Sequence, residues 1–316
     1  MDASRTSYSS PSLSSIRTTL EDNYKLEVSE IVLLKRGFND TYRVTASGTR
    51  FIVRLYRCKR RTEAQIRSEL SWLCYLNDHK LPVAFPLSDK KGEHLQPFIA
   101  PEGMRYLALF TYVNGNIQRK PDLLQCKTAG EALAKIHLVS KDFNPGPFRW
   151  DYSPEQIISF ARNQVEVALQ PFPEDLNYLD TLGRSIQERL KGVELHAGLC
   201  HGDLQSENFY YQEDGSVNFI DFDFAGYGPL LYDLGAYTWY DHKAKTPAML
   251  DSFYQGYSSQ IHLDKQEIEL IPLFGMLRAL FLMGMWRQFM DGESNSEWPP
   301  LQIHQFVQKL KTWSIK

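Results

Sequence analysis

The stretch whose reading decides the fold is Leu199–Tyr240, LCHGDLQSENFYYQEDGSVNFIDFDFAGYGPLLYDLGAYTWY. Phe209–Gln212 and Val217–Ile220 are alternating or rich in aromatic and β-branched residues, and Asp214-Gly215 between them signals a two-residue hairpin turn. Centred on that dipeptide, the hairpin sets Asn208 directly opposite Asp221 at its open end, with Asp203 on the loop leading in. An amide oxygen and a carboxylate on one short rigid element suit Mg²⁺, a hard cation that dehydrates reluctantly and completes its shell with phosphates and water. Asp203 then stands where it can accept a proton from an attacking hydroxyl. Phosphoryl transfer needs this arrangement, because positioning and charge neutralisation do most of the work there.

Taken singly, each residue has an ordinary structural alternative: Asp203 as a turn residue, Asn208 as a strand cap, Asp221 as an ion-pair partner. Their joint placement around one hairpin favours the chemical reading. Asp223, two residues past Asp221, is a further metal-ligand candidate. Asp233, at the entry to an Asp-Leu-Gly helix, reads as a structural acceptor for loop N–H groups.

His201-Gly202-Asp203-Leu204 with Asn208, then Ile220-Asp221-Phe222-Asp223, Gly228-Pro229 and Tyr232-Asp233-Leu234, resembles the signature of the aminoglycoside phosphotransferase-like family, which includes choline kinases, homoserine-type kinases and a stress-response Ser/Thr kinase. The resemblance covers roughly residues 23–316. It implies an α+β, bilobal protein kinase-like fold, with a small antiparallel N-terminal sheet carrying one helix and a larger, mostly helical C-terminal lobe. It also implies ATP and Mg²⁺ as cofactors, Asp203 as catalytic base, Asn208 and Asp221 as metal ligands, and His201 as a positioning residue. In the first lobe it implies a turn over the phosphates at Gly37–Asp40, with Gly37 and Asn39, although the protein-kinase G-x-G-x-x-G form is absent. Phe110–Val113 would border the adenine. Arg54 stands where the family usually has its phosphate-anchoring Lys; Arg binds two oxygens at once, and Glu69 is in place to orient it. A solvated strand-end Arg is the alternative. Gln205 replaces the second His of the family's HGDLH, which bears on substrate contacts and not on the base.

Outward from this segment, Ile31–Leu34, Thr41–Val44 and Phe51–Leu55 read as strands separated by Gly, Asn and Asp turns. Thr62 and Gln65 form a capping box that opens a helix with an apolar face of Ile66, Leu70 and Leu73. Glu69 falls on that face, so it is either at its edge or paired with a cation from the sheet. A last strand, Tyr106–Val113, ends at a hinge near Gly115, and helices follow. The plan is a tail over 1–22, a nucleotide-binding lobe over 23–114 and a catalytic and substrate lobe over 115–316. The Ser/Thr-rich tail reads as disordered, with a transit peptide as the sharper alternative.

The 316 residues are 43% hydrophobic and 23% charged, with a formal net charge of −3, which argues against a general nucleic-acid binder. That charge is unevenly spread: residues 23–112 carry +6 and residues 113–316 carry −8. Either two lobes meet differently charged ligands, or solvated surface charges fall so by chance. Four cysteines without CxxC spacing fit a reducing, cytoplasmic compartment. The apolar run Ile268–Met290 is broken by Glu269, Pro272, Arg278 and Arg287, so it reads as a buried helix and not a membrane span. His137 in an apolar stripe reads as a buried, hydrogen-bonded histidine, and Walker A, HExxH and Gly-x-Ser-x-Gly motifs are absent.

The leading expectation is an ATP- and Mg²⁺-dependent kinase for a small-molecule hydroxyl. The acidic second part hints at an amino-bearing acceptor walled by Tyr237, Trp239, Tyr240 and Trp286, while an acidic acceptor would want Arg278 or Arg287. Protein Ser/Thr phosphorylation is the alternative within kinase chemistry, and a nucleotide-binding scaffold without turnover the alternative outside it. The sequence leaves oligomeric state open.

Overall fold

The structure, a computed structural model, describes residues 8–239, 245–290 and 299–313. The chain begins with helix α1 (Leu13–Tyr24), followed by strands β1 (Val28–Arg36), β2 (Asn39–Ala46) and β3 (Thr49–Tyr56). Helix α2 (Glu63–Asp78) and strands β4 (Gln96–Ala100) and β5 (Gly103–Thr111) complete the first lobe. The sheet is antiparallel throughout, in the order β1-β2-β3-β5-β4.

Strand alternation decides what each face holds. Val53 and Leu55 of β3 join Tyr42, Val44, Leu107 and Leu109 in a cluster that Ile16 and Leu20 of α1 cover. Arg54 and Tyr56 point the other way, toward α2. That helix starts at the capping box expected from Thr62 and Gln65 and buries Ile66, Leu70 and Leu73. The expectation of a disordered tail over 1–22 is therefore corrected for its second half. Ile16 and Leu20 are fully buried, Ser12 caps the helix, and the first lobe carries two helices instead of one. Residues 1–7 lie outside the described part.

Past Tyr112–Pro121 the chain turns helical. Helix α3 (Leu123–Ser140), capped reciprocally by Asp122 and Gln125, packs on α7 (Pro247–Ser258). Between them come β6 (Trp150–Asp151), α4 (Pro154–Val165), α5 (Pro173–Leu190), β7 (Ala197–Cys200), β8 (Phe209–Tyr211), β9 (Val217–Phe219), β10 (Gly226–Pro229) and α6 (Leu231–Trp239). Helices α8 (Lys265–Met290) and α9 (Pro300–Thr312) close the order. Helix α8 is long and apolar enough to cross a membrane, yet 83% of its most apolar window is buried, packed on α4 and α6. It is the core helix that its interrupting charges indicated.

Candidate active site

The β8–β9 hairpin pairs Phe209 with Phe219, Tyr210 with Asn218 and Tyr211 with Val217. This register is one residue from the expected one. Gln212 and Ser216 close a three-residue loop through Ser216 O and Gln212 N–H at 2.8 Å, with Gly215 at φ +82° supplying the left-handed step. Asn208 is therefore level with Ile220, whose N–H donates to Asn208 O at 3.1 Å, and Asp221 lies just beyond the strand. A left-handed backbone at Asp221, φ +65°, turns the chain there. Despite the corrected register, Asn208 and Asp221 line the same cavity.

That cavity, about 430 Å³, lies between the lobes. Its apolar wall includes Leu34, Ile52, Ala84, Phe110, Val113 and Phe222, and its polar end carries Lys35, Arg54, Glu69, Asn208 and Asp221. The β3–β5 ladder ends at the Phe51–Thr111 pair, so the sheet does not use the backbone groups of Tyr112 and Val113, which also border the cavity. A flat apolar slot with free backbone donors and acceptors at one end and cations at the other fits a purine nucleotide carrying phosphates.

Arg54 is not a solvated strand-end residue. Its guanidinium binds Glu69 at 3.3 Å and Asp221 at 2.7 Å, joining sheet, helix and hairpin. Burial pulls its pKa down, but the carboxylates of Asp221 and Glu69 outweigh this and hold the proton more firmly than usual. Glu69 is fully buried and takes a second cation, Arg61, which also binds Asp223 at 2.9 Å. Burial raises the Glu69 carboxyl above its ordinary range despite Arg61 and Arg54. Burial would raise Asp223 likewise, yet Arg61, Arg54 and a hydrogen bond from Asn39 hold it below its ordinary range.

Asp203 is 5% exposed. Its Oδ1 accepts from Arg278 of α8 at 2.5 Å, and its Oδ2 accepts from the side-chain amides of Asn208 and Gln205, each at 3.0 Å. The Asn208 amide nitrogen also donates to Asp203 O at 2.8 Å, which leaves its amide oxygen as the atom available to a cation. Asp221 lines the same cavity, with 32% of its side chain exposed. Two hard oxygen donors with room for phosphate and water fit Mg²⁺. Among the described residues no group of three or more His, Cys, Asp or Glu could hold a metal.

The loop before Asp203 is fixed by Asp233, as its position indicated. Asp233 accepts from the N–H groups of His201 at 2.7 Å and Gly202 at 2.8 Å, and from His137 Nε2 at 3.1 Å. His137 is completed by the Tyr257 hydroxyl at 2.9 Å. His201 Nε2 donates to Ile220 O at 3.0 Å, and its Nδ1 accepts from the Asp203 N–H at 3.2 Å. This is the neutral tautomer, in keeping with burial lowering its pKa below the ordinary 6.5. Gly202 has φ +81°, and a Cβ there would meet Phe224 O at 2.1 Å.

Of the sequence-predicted residues, Arg54, Glu69, Phe110, Val113, Asn208 and Asp221 meet at one cavity. Gly37 and Asn39 line an adjoining cavity together with Asp221 and Asp223, the latter with its Oδ1 bonded to Arg61. The aromatic cage does not form. Tyr237 is buried and stacked on Phe253, with the Lys245 ammonium 3.7 Å from its ring centroid, while Trp239 packs on Trp313 and Trp286 on Phe306. Tyr240 lies outside the described residues. Arg278 is committed to Asp203. Arg61 and the Asp203-directed role of Arg278 were missed, and both left a signal: a carboxylate or guanidinium on an apolar helix face must find a counter-charge.

A family model described as "Phosphotransferase enzyme family" matches residues 30–270. Homoserine kinase of Rhodopseudomonas palustris is 26% identical over 287 residues, covering 86% of this chain and 83% of that protein. Stress response kinase A of Salmonella typhi is 28% identical over 275 residues, covering 84% and 80%. Among solved structures, the amicoumacin kinase hAmiN in complex with AMP-PNP, Ca²⁺ and Ami superposes with a TM-score of 0.75 at 19% identity, over 96% of this chain and 94% of that one. The expected bilobal kinase-like fold is thus found, and the fold, the His201–Leu204 loop and the matched span lead to one conclusion: this chain belongs to the phosphotransferase enzyme family.

Proposed function

We propose that the protein transfers the γ-phosphoryl group of ATP to a hydroxyl of a small molecule in a Mg²⁺-dependent reaction, with Asp203 accepting the hydroxyl proton. The observation that carries this reading is the convergence of Asn208, Asp221 and Arg54 on one cavity, with Asp203 hydrogen-bonded to Asn208. Asn208 and Asp221 would hold Mg²⁺, which when bound neutralises phosphate charge. Arg54 anchors phosphate oxygens with both arms of its fork, and Glu69 and Asp221 keep the fork oriented. Arg278, Gln205 and Asn208 fix the orientation of the Asp203 carboxylate. The acceptor oxygen bonds to phosphorus, the bond to the ADP oxygen breaks, and the hydroxyl proton goes to Asp203.

A small acceptor is favoured over a protein. Asp221 to Asp233 is taken up by a short helical turn, β10 and the start of α6, with no room for an activation segment of the protein-kinase type. The scaffold reading rested on a misplaced Arg54, and the ion pairs of Arg54 argue against it. Four unpaired cysteines, two of them buried, support a reducing, cytoplasmic setting. The test is acceptor-dependent ADP release with Mg²⁺ across amino sugars, amino alcohols, hydroxy amino acids and simple sugars. Release that EDTA abolishes and Mg²⁺ restores is expected; acceptor-independent or EDTA-insensitive release would contradict the reading.

A further inference from the structure

The buried carboxylate of Glu69 is divided between two guanidiniums, one oxygen to each. Its Oε1 accepts from Arg54 Nη1 at 3.3 Å, and its Oε2 accepts from Arg61 Nη1. Each arginine then reaches across to the second lobe: Arg54 Nη2 to Asp221 Oδ1 at 2.7 Å, and Arg61 Nη1 to Asp223 Oδ1 at 2.9 Å. Arg61 Nη2 donates to Gln65 O at 2.9 Å, and its guanidinium carbon lies 5.8 Å from the Tyr56 ring centroid. Arg54 and Glu69 line the nucleotide cavity, and Arg61 does not.

Local structure alone disfavours a charge at position 61. Arg61 stands one residue before Thr62, the N-cap of α2, where the helix dipole opposes a cation, and its side chain is only 6% exposed. Two carboxylates offset this, Glu69 eight residues on and Asp223 in the other lobe. The capping box sets the geometry, since Gln65 both closes the box and accepts from Arg61.

A guanidinium at position 54 brings a difficulty that an ammonium does not. Its parallel N–H groups match the two oxygens of one carboxylate, and the fully buried Glu69 is the partner that would draw both. Such a fork–fork pair would turn Arg54 toward α2 and away from Asp221 and the phosphate end of the cavity. With Oε2 taken by Arg61, Arg54 gives a single N–H to Glu69, its Nη2 stays directed at Asp221, and each nitrogen keeps its second N–H for phosphate. A Lys has no fork and needs no such competitor. We infer that Arg61 is a positioning residue for nucleotide binding: it aims the Arg54 fork by denying it the second oxygen of Glu69, which lets an Arg serve where the family usually has a Lys. This rests on the kinase reading, in which Arg54 anchors phosphate, and adds to it a residue outside the cavity.

Calorimetry with Mg²⁺ and AMP-PNP on the full chain tests it through a double-mutant cycle between positions 54 and 61. Arg54→Lys alone is expected to bind AMP-PNP within about tenfold of wild type. Arg61→Met is expected to weaken binding about tenfold or more when Arg54 is present, and less than about threefold in an Arg54→Lys background. A residue that merely supports α2 would cost the same in both. Arg61→Gln serves if Arg61→Met does not fold, with the same ordering of the two losses. A loss in the Arg54→Lys background as large as that beside Arg54, unaltered binding by the folded position-61 variants, or abolished binding by Arg54→Lys alone would each overturn the inference. The kinase reading is judged separately, by acceptor-dependent ADP release from the wild type: release without the coupling sinks the inference and leaves the kinase, whereas failure of the wild type to bind AMP-PNP sinks both.

Discussion

Replacing Asp233 by Asn tests how the loop before Asp203 is held. The carboxylate is fully buried and accepts three N–H groups: His201 and Gly202 backbone, and His137 Nε2. An amide has one accepting side. With its oxygen toward Gly202, its NH₂ opposes the His201 N–H; flipped, it opposes that of Gly202. Either way one buried backbone donor is orphaned, at about 1–3 kcal/mol, and each remaining bond loses charge assistance worth about 1 kcal/mol. The expected destabilisation is about 3–5 kcal/mol, seen as a fall of roughly 6–15 °C in Tm by calorimetry. Turnover measured well below the new Tm should fall as well, because the freed N–H groups belong to the residues just before Asp203. An unchanged Tm would refute the claim that Asp233 holds this loop.

Three further outcomes follow from the same geometry. Gly202→Ala puts a Cβ 2.1 Å from Phe224 O at φ +81°, so its denaturant midpoint should drop by the equivalent of at least about 3 kcal/mol; a wild-type midpoint would contradict the loop geometry. Arg54→Met removes the fork between Glu69 and Asp221, so kcat/KM for ATP should fall about a hundredfold or more in steady-state assays, and a near-normal value would return Arg54 to the surface. His201, neutral in the native state with a pKa below 6.5, gains protons on unfolding, so stability should decline as pH falls below 6.5 through the lowered native value. His201→Asn should flatten that decline in pH-dependent denaturant titrations.

Much of this architecture was legible because the residues involved admit few alternatives. Asn208 and Asp221 at the mouth of a Gly-turn hairpin, and Asp233 in the first turn of a helix, constrain their surroundings more than any apolar run does. The one-residue register shift was not legible, since Asp214-Gly215 serves a two-residue turn or a three-residue loop with the same dipeptide, and the left-handed Asp221 compensates for the difference. Helix α1 escaped notice because only Ile16 and Leu20 anchor a Ser/Thr-rich stretch, and its stability comes from the sheet it covers. Strand β4 is a short segment with Pro97 at the sheet edge, where periodicity carries little signal. The role of Arg278 depends on two segments 75 residues apart in sequence, a distance no local pattern spans.

The central claim is that Asp203 takes the acceptor's proton during phosphoryl transfer. Asp203→Asn keeps the size of the side chain and removes the base. Single-turnover kinetics with Mg²⁺, ATP and an acceptor that the wild type phosphorylates measures this most directly. The account predicts a fall in rate of about 10²–10⁴, with AMP-PNP affinity within a few-fold of wild type. A folded Asp203→Asn protein that phosphorylates the same acceptor at close to the wild-type rate would contradict it.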